Sequence, residues 1–179
     1  MLSRKRQLRP ASGAQQQDNA SRDQGEVGIA AVALLARRDY GSAELTALLR
    51  NKGFAASAVH AVVSDLIEHR FVDDARYASH RTSYQAERGH GPLRIRRDLR
   101  NLGLDISVID DAIAEGRDWA SQAREVRIRR FGLEIPASRR EQARQARFLQ
   151  YRGFSADHIR GALGAHIEVD VTGESEAPD

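Results

Sequence analysis

The sequence contains no cysteine, only four prolines, and only two lysines among its 28 basic side chains. The missing cysteine excludes disulfide bonds and thiolate metal ligands. The longest apolar run, VGIAAVALLA at 27–36, is too short to cross a bilayer. No apolar segment follows the basic start MLSRKRQLRP, as a secretory signal would require. We therefore expect a soluble, cytoplasmic protein that does not associate with a membrane.

Motifs of catalysis are also missing. The sequence has no GxxxxGK, GxGxxG or HExxH, and without cysteine it has no thiol nucleophile. None of the six histidines has a second histidine four residues away, so no helical metal pair is expected. The acidic pair Asp73–Asp74 in FVDDARYA is better explained as a helix N-terminus, where carboxylates cap free amides. We predict a protein that is not an enzyme and has no cofactor or metal.

A six-residue phrase occurs three times at a spacing of fifty residues. It reads LRNKGF from 49, LRNLGL from 99 and LQYRGF from 149. In each copy the glycine follows a helix-compatible stretch, and glycine adopts the left-handed conformation that ends many helices. In a Schellman cap, the apolar residue that follows the glycine contacts a residue near the helix end, and here that residue is the leucine four positions before the glycine. Equal spacing of three such helix ends indicates an internal repeat.

The repeat extends on both sides of the phrase. After each glycine, apolar residues recur at i, i+3 and i+4, which is the pattern of a helix face. Before each phrase lies a further helical segment, which Ser42, Pro92 and Pro136 are expected to open. A third helix precedes each pair, in EVGIAAVALLARR, DDARYASHRTSYQAER and DWASQAREVRIRRF. The predicted fold is all-α, with three tandem three-helix repeats stacked into an elongated, curved rod.

Charge is distributed unevenly along the chain. Residues 81–160 carry 17 basic and 11 acidic side chains, a net charge of +6, whereas 161–179 carry five acidic and no basic ones. Polar, low-complexity ends of this kind are typical of disorder. The predicted organisation is a disordered basic extension at 1–25, helical repeats at 26–70, 71–116 and 117–167, and a disordered acidic tail at 168–179.

Arginines form stripes on two of the predicted helices. On a helical wheel, 138–152 places Arg140, Arg144, Arg147 and Tyr151 on one face. The segment 92–103 places Arg96, Arg97 and Arg100 opposite its apolar face, and Arg94 and Arg97 occupy the repeat positions of Arg144 and Arg147. In the first repeat these positions hold Glu44 and Ala47, and Arg127 and Arg130 add charge near the third.

A charged stripe of this kind has two interpretations. It is either a solvated face or a surface for an acidic or polyanionic partner. Like charges one turn apart repel by a few tenths of a kcal/mol, which favours a partner. Major-groove reading by a helix-turn-helix is disfavoured, because AASAVHAVVSDLIEH and DISVIDDAIAE, which follow the glycines, are neutral to acidic.

Several of these segments together resemble one family. ALLARRDYGSAELTALLRNKGF, FVDDARYA, LRNLGL and LQYRGF resemble the bacterial recombination regulator RecX over about 28–165. The resemblance implies three tandem three-helix repeats, binding along the groove of the RecA nucleoprotein filament, and inhibition of strand exchange, ATP hydrolysis and coprotease activity. It implies no catalytic residue. The long basic N-terminal extension and the acidic tail depart from the usual pattern of the family.

Two functional hypotheses follow. The first is a monomeric, non-enzymatic regulator that binds the RecA filament. The second is a helical protein that binds single- or double-stranded nucleic acid without sequence preference and without RecA. Both assign partner contacts to the same residues, which are Arg94, Arg96, Arg97, Arg100, Arg127, Arg130, Arg140, Arg144, Arg147 and Tyr151.

Overall fold

The computed structural model describes residues 12–164, and within that range the chain forms nine α-helices and no β-strand. This confirms the prediction of an all-helical chain. The helices follow one another as three groups of three, separated by short turns. They are α1 (Ser12–Leu35), α2 (Ser42–Asn51), α3 (Ala56–Glu68), α4 (Asp74–Glu87), α5 (Pro92–Asn101), α6 (Ile106–Ala114), α7 (Trp119–Phe131), α8 (Arg139–Arg152) and α9 (Ala156–Leu163).

Helix α1 begins at Ser12, inside the segment 1–25 for which the composition predicts disorder. The structure differs from that expectation, because residues 12–25 are helical. Four glutamines, two alanines and one arginine there have high helix propensity, and they continue the helix that the apolar residues from Val27 onward support. Residues 1–11 and the predicted acidic tail at 168–179 lie outside the described residues.

The three repeated phrases end their helices as predicted. Gly53, Gly103 and Gly153 have φ values of 95°, 83° and 92°, in the region that favours glycine. In the third phrase the Phe154 N–H donates to the Leu149 carbonyl at 3.1 Å, and both side chains are buried. This bond and the contact beside it are those of a Schellman cap.

Helix α8 begins three residues later than predicted. Pro136 does not open it, because the first helical residue is Arg139 and Ser138 is the N-cap. The Ser138 hydroxyl accepts a hydrogen bond from the Glu141 N–H at 3.2 Å. Serine followed three residues later by glutamate is the sequence of a capping box, and this pattern marks the true start of the helix.

The described residues up to Asp74 form one compact unit. Helices α1, α2 and α3 enclose a core that includes Val27, Leu45 and Leu49, none of which is exposed. Helix α2 has no side-chain cap of its own. Asp74 takes that role, because its carboxylate accepts hydrogen bonds from the Ser42 N–H at 2.7 Å and from the Ser42 hydroxyl at 2.6 Å.

The described residues from Ala75 onward form a second compact unit, in which the second and third groups of helices share one hydrophobic core. Leu99 of α5 and Leu149 of α8 are both fully buried in it. Trp119 is the single tryptophan of the chain and is 8% exposed. Its indole N–H donates to the Ile113 carbonyl at 2.9 Å. Trp119 therefore reports on the packing of this unit.

Two glycines allow α5 and α8 to meet backbone to backbone. The Gly91 N–H donates to the Arg152 carbonyl at 2.8 Å, and the Leu93 N–H donates to the Gly153 carbonyl at 3.0 Å. A Cβ on Gly153 would lie 2.4 Å from the Arg94 Cβ, and a Cβ on Gly91 would lie 2.4 Å from the Gly153 oxygen. The free amides at the start of α5 are thus satisfied by the last carbonyls of α8.

Candidate functional site

Helix α8 presents the arginine stripe that its sequence predicts. Arg140, Arg144, Arg147 and Tyr151 are all exposed, and Tyr151 is 78% exposed. Leu149 lies on the opposite face and is fully buried in the core. Because the buried face is anchored, the stripe is held toward solvent over about 17 Å, at a rise of about 1.5 Å per residue.

Helix α5 presents two further arginines to solvent. Arg97 and Arg100 are exposed, and together with Leu93 they border one shallow concavity. Leu93 is 52% exposed and lies one turn before Arg97, so an apolar side chain adjoins the two charges. This surface is open and can accept an extended partner.

The other two α5 arginines are less available. Arg96 forms an ion pair with Asp110 of α6 at 2.7 Å, and Arg94 is half-buried with its Nε 3.9 Å from Asp98. Asp98 also lies 3.6 Å from the Arg97 guanidinium. Arg96 still lines the same concavity as Arg97 and Arg100, and its ion pair with Asp110 partly neutralises its charge.

The α8 and α5 stripes meet at the junction between these helices. The Arg94 guanidinium lies 6.0 Å from the centre of the Tyr151 ring, within the range of a cation–π contact. The arginine row, as we call it, is therefore continuous across two repeats. It consists of Arg140, Arg144, Arg147, Tyr151, Arg94 and Arg97.

Arg127 is buried and does not belong to this surface. It is 2% exposed, and its guanidinium donates to the carbonyls of Glu134 at 2.8 Å and Leu133 at 3.1 Å. The prediction that Arg127 contacts a partner is corrected: this side chain holds the loop between α7 and α8. Arg127 follows Ala123 by four residues and Val126 by one, so the spacing of the buried α7 face could have revealed its position.

Arg130 remains at the surface and lies beside the row. Its guanidinium is 5.8 Å from the centre of the Phe131 ring, and that of Arg144 is 5.1 Å from the same ring. Phe131 also packs edge to face against Phe148 at 5.2 Å between ring centres. The aromatic pair of Phe131 and Phe148 thus lies next to one arginine of α7 and one arginine of the row.

An acidic side chain within α8 partly neutralises the row. Glu141 accepts a hydrogen bond from Arg144 at 2.7 Å and one from the Gln145 amide at 3.0 Å. The bond from Arg144 is the main reason that the pKa of Glu141 lies below its usual 4.5. Exposed ion pairs of this kind are weak, because solvent screens them. A polyanion can therefore displace Glu141 at small cost.

The first repeat lacks the row. Helix α2 carries Glu44 and Ala47 at the repeat positions of Arg144 and Arg147. Glu44 forms an ion pair with Arg38 at 2.6 Å. The charge of the two repeat positions is therefore reversed or lost in this unit, as the sequence predicts.

Among residues 12–164, no three His, Asp or Glu side chains converge as metal ligands. In the same range no helix combines the length and apolar character needed to cross a bilayer. Helix α6 carries Asp110 and Asp111. The fold and the surface together define a class: helical-repeat proteins with a cationic surface suited to an acidic or phosphate-bearing partner.

Comparisons with known proteins give the family. The family model described as "RecX, third three-helix domain" matches residues 118–163, and that of the second three-helix domain matches 73–113. A protein named "Regulatory protein RecX" from Halorhodospira halophila is 45% identical over 145 residues, covering 80% of this chain and 90% of its own length. One of the same name from Pseudomonas fluorescens is 45% identical over 134 residues, covering 74% and 86%. The chain belongs to the RecX family.

Solved structures share the fold. The crystal structure of RecX from Lactobacillus salivarius matches with a TM-score of 0.71 at 20% identity, covering 79% of this chain and 95% of that one. A second match, "Crystal structure of regulatory protein RecX", has a TM-score of 0.72 at 20% identity and covers 90% and 80%. These matches and the family models confirm the prediction of three-helix repeats.

Proposed function

We propose that this protein regulates the RecA nucleoprotein filament by binding it through the arginine row, and that binding inhibits the recombinase, ATPase and coprotease activities of RecA. The observation that carries the proposal is family membership, since relatives at 45% identity are named regulatory proteins. The row supports it with a surface whose chemistry fits a filament of acidic protein and DNA phosphate. A RecA partner would place the protein in the cytoplasm.

Inhibition by such a protein needs no catalysis. A filament exposes carboxylates and phosphates repeatedly along its length, and arginine forks bind both groups with two parallel hydrogen bonds. The row offers exposed forks at Arg97, Arg140 and Arg147, and further forks held by Glu141 and Asp98. Occupancy of the filament would then be sufficient to slow its turnover.

A second candidate function is nucleic-acid binding without RecA. The guanidinium-rich surface favours it, because phosphate contacts by arginine supply most of non-specific binding to nucleic acids. The two candidates differ in one measurement. The first requires that the protein, at a concentration well below that of RecA, slows ATP hydrolysis by RecA on single-stranded DNA. The second predicts DNA binding with no effect on RecA beyond simple competition for DNA.

The test of the row is a triple variant, Arg140→Ala, Arg144→Ala and Arg147→Ala. These side chains are exposed, so the variant should keep its helicity, because surface substitutions usually change stability by less than about 0.5 kcal/mol. Inhibition of RecA should weaken, and the binding that disappears should be the salt-sensitive part. The matched control removes the same charge from the first unit, with Arg37→Ala, Arg50→Ala and Lys52→Ala.

Each result of this experiment decides a different point. Unchanged inhibition by the α8 variant across a salt titration would show that the row is only a solvated face. Equal loss in the α8 variant and the control would show that net charge matters and position does not. A parent protein that binds DNA but leaves RecA turnover unchanged when it is substoichiometric would favour the second candidate function.

A further inference from the structure

A second cationic site lies next to the row but on another face of the unit. The end of α4, one side of α7 and the last turns of α8 enclose a concavity of about 210 Å³. Four arginines and one phenylalanine line it, together with a single glutamate. These are Arg88, Arg129, Arg130, Arg152, Phe148 and Glu87.

This concavity is distinct from the arginine row. Phe148 and Arg152 each follow a residue of the row by one position, and one residue turns an α-helix by about 100°. The two surfaces therefore occupy adjacent faces of α8. They meet at Phe131, whose ring lies between the guanidinium groups of Arg130 and Arg144.

Two of the four arginines, Arg152 and Arg88, are held in place before any partner arrives. Arg152 donates from Nη1 to the Arg88 carbonyl at 3.0 Å, and its guanidinium lies 5.2 Å from the centre of the Phe148 ring. The Arg88 guanidinium lies 4.8 Å from the centre of the Tyr84 ring and donates to the Tyr84 hydroxyl. Fixed side chains lose little entropy on binding, so such a site binds more tightly than mobile arginines would.

Gly89, which has no side chain, leaves space beside Arg152. Gly89 has a φ of 79° and lies on the floor of the concavity. A Cβ at this position would stand 3.2 Å from the Val126 Cγ2 and 3.6 Å from the Arg152 Nη1. A side chain at residue 89 would thus crowd Val126 and would come into van der Waals contact with the Arg152 guanidinium.

The charge of the site is unbalanced. Glu87 is the one carboxylate that lines it, and Glu125 pairs with Arg129 at 3.2 Å while both side chains remain more than 60% exposed. The four lining arginines therefore outnumber the two nearby carboxylates, and the Arg129–Glu125 pair is only a weak surface ion pair. Guanidinium forks match the free oxygens of a phosphate group, and this geometry is why arginine predominates in phosphate recognition.

We propose that this concavity binds one backbone phosphate of a nucleic-acid strand, and that the same strand continues across Phe131 onto the arginine row. A strand fits better than an isolated anion, because its charges repeat and two cationic surfaces lie side by side. The inference goes beyond the function proposed above, since it requires no RecA. The sequence alone does not assign Arg88, Arg129 or Arg152 to a site, because the helices that carry them are separated along the chain.

The test is direct binding of a fluorescein-labelled oligothymidylate of about 20 nucleotides, long enough to cover both surfaces. Anisotropy is measured without RecA at a series of salt concentrations. The site variant is Arg129→Gln with Arg130→Gln. The matched control is Arg124→Gln with Arg160→Gln, which removes the same charge from exposed positions outside the site.

The expected result is a loss specific to the site. The slope of log affinity against log salt should fall by about 0.7 for each phosphate of a single strand that the variant no longer neutralises. The site variant should therefore show a slope smaller by about 0.7 and an affinity roughly tenfold weaker at low salt, and the control should stay close to the parent. Circular dichroism and Trp119 fluorescence check that both variants are folded.

Two outcomes would overturn the proposal. Equal slopes for the site variant and the control would mean that the concavity makes no phosphate contact of its own. Binding to labelled poly-glutamate is measured in the same way. If the site variant bound oligothymidylate like the parent but lost binding to poly-glutamate, the concavity would bind carboxylates of an acidic protein. Because neither arm contains RecA, a failure here leaves the RecA proposal standing, and a failure in the RecA assay leaves this one standing.

Discussion

The junction between α5 and α8 can be tested by adding one methyl group. Gly91→Ala places a Cβ 2.4 Å from the Gly153 oxygen and 2.6 Å from the Phe154 nitrogen, and both are backbone atoms that cannot rotate away. Gly91 has a φ of −86°, which alanine adopts without strain, so the effect is purely steric. The helices must therefore separate at this point.

The size of the effect follows from what the separation breaks. The Gly91 N–H and the Leu93 N–H each donate one hydrogen bond across the junction, at 2.8 and 3.0 Å. Each such bond contributes about 0.5–1.5 kcal/mol, and forcing extra volume into a packed contact costs about 1–3 kcal/mol. Because separating the helices relieves part of the steric cost, we expect Gly91→Ala to lower the free energy of unfolding by about 2–4 kcal/mol.

Urea unfolding followed by tryptophan fluorescence measures this loss. Trp119 is the only tryptophan and is buried in the unit that contains the junction, so its signal reports that unit alone. With the denaturant slope of a small domain, the midpoint should fall by about 1–2 M urea. The matched control is Gly161→Ala in α9, where an added Cβ meets nothing within 4 Å. Alanine there should stabilise by about 0.5–1 kcal/mol, as in other helix interiors. If Gly91→Ala unfolded at the midpoint of the parent, the close glycine contact would not govern the junction.

Three further predictions use the same unit. Gly103 has a φ of 83°, so Gly103→Val should cost more than about 1 kcal/mol in the urea assay, and an unchanged midpoint would contradict the helix-end assignment. Arg127→Leu should cost about 1–3 kcal/mol, because two loop carbonyls lose their donor; an Arg127→Leu variant as stable as the parent would show that the loop needs no anchor. The pKa of Glu141 is lowered mainly by its hydrogen bond with Arg144. Ionised Glu141 therefore stabilises the folded state above the unfolded pKa of 4.5, and this contribution is lost as the pH falls through the lower folded pKa. In an NMR titration the Glu141 midpoint should rise in Arg144→Ala, and an equal midpoint in both proteins would exclude the ion pair in solution.

Much of the fold could be predicted because its signals are local. Each helix end at Gly53, Gly103 and Gly153 is encoded in six residues, and left-handed glycine with its apolar contact does not depend on distant parts of the chain. The stripe of Arg140, Arg144 and Arg147 is local in the same sense, because the turn of the helix alone places these residues on one face.

The rest depends on contacts between residues far apart in sequence. Gly91 and Gly153 are 62 positions apart, and no pattern within either segment shows that they touch. Arg127 is a different case, because its partners are the nearby carbonyls of Leu133 and Glu134 and the spacing of the buried α7 face includes it. The prediction failed there because arginine is rarely buried. Arg96 finds a carboxylate on α6 that the helical wheel of α5 cannot show.

The junction also explains why the row can act as one surface. Helix α8 has 14 residues and is about 21 Å long, which limits the length of any stripe on it. The alignment of this stripe with a stripe on a second helix is lost if the two helices move independently. Here the backbones of α8 and α5 are hydrogen-bonded directly, with no side chain between them, so Tyr151 and Arg94 stay in contact range. The three repeats share one fold, but the charged positions on α5 and α8 are Glu44 and Ala47 on α2. The first unit therefore shares the three-helix fold but lacks the arginine row.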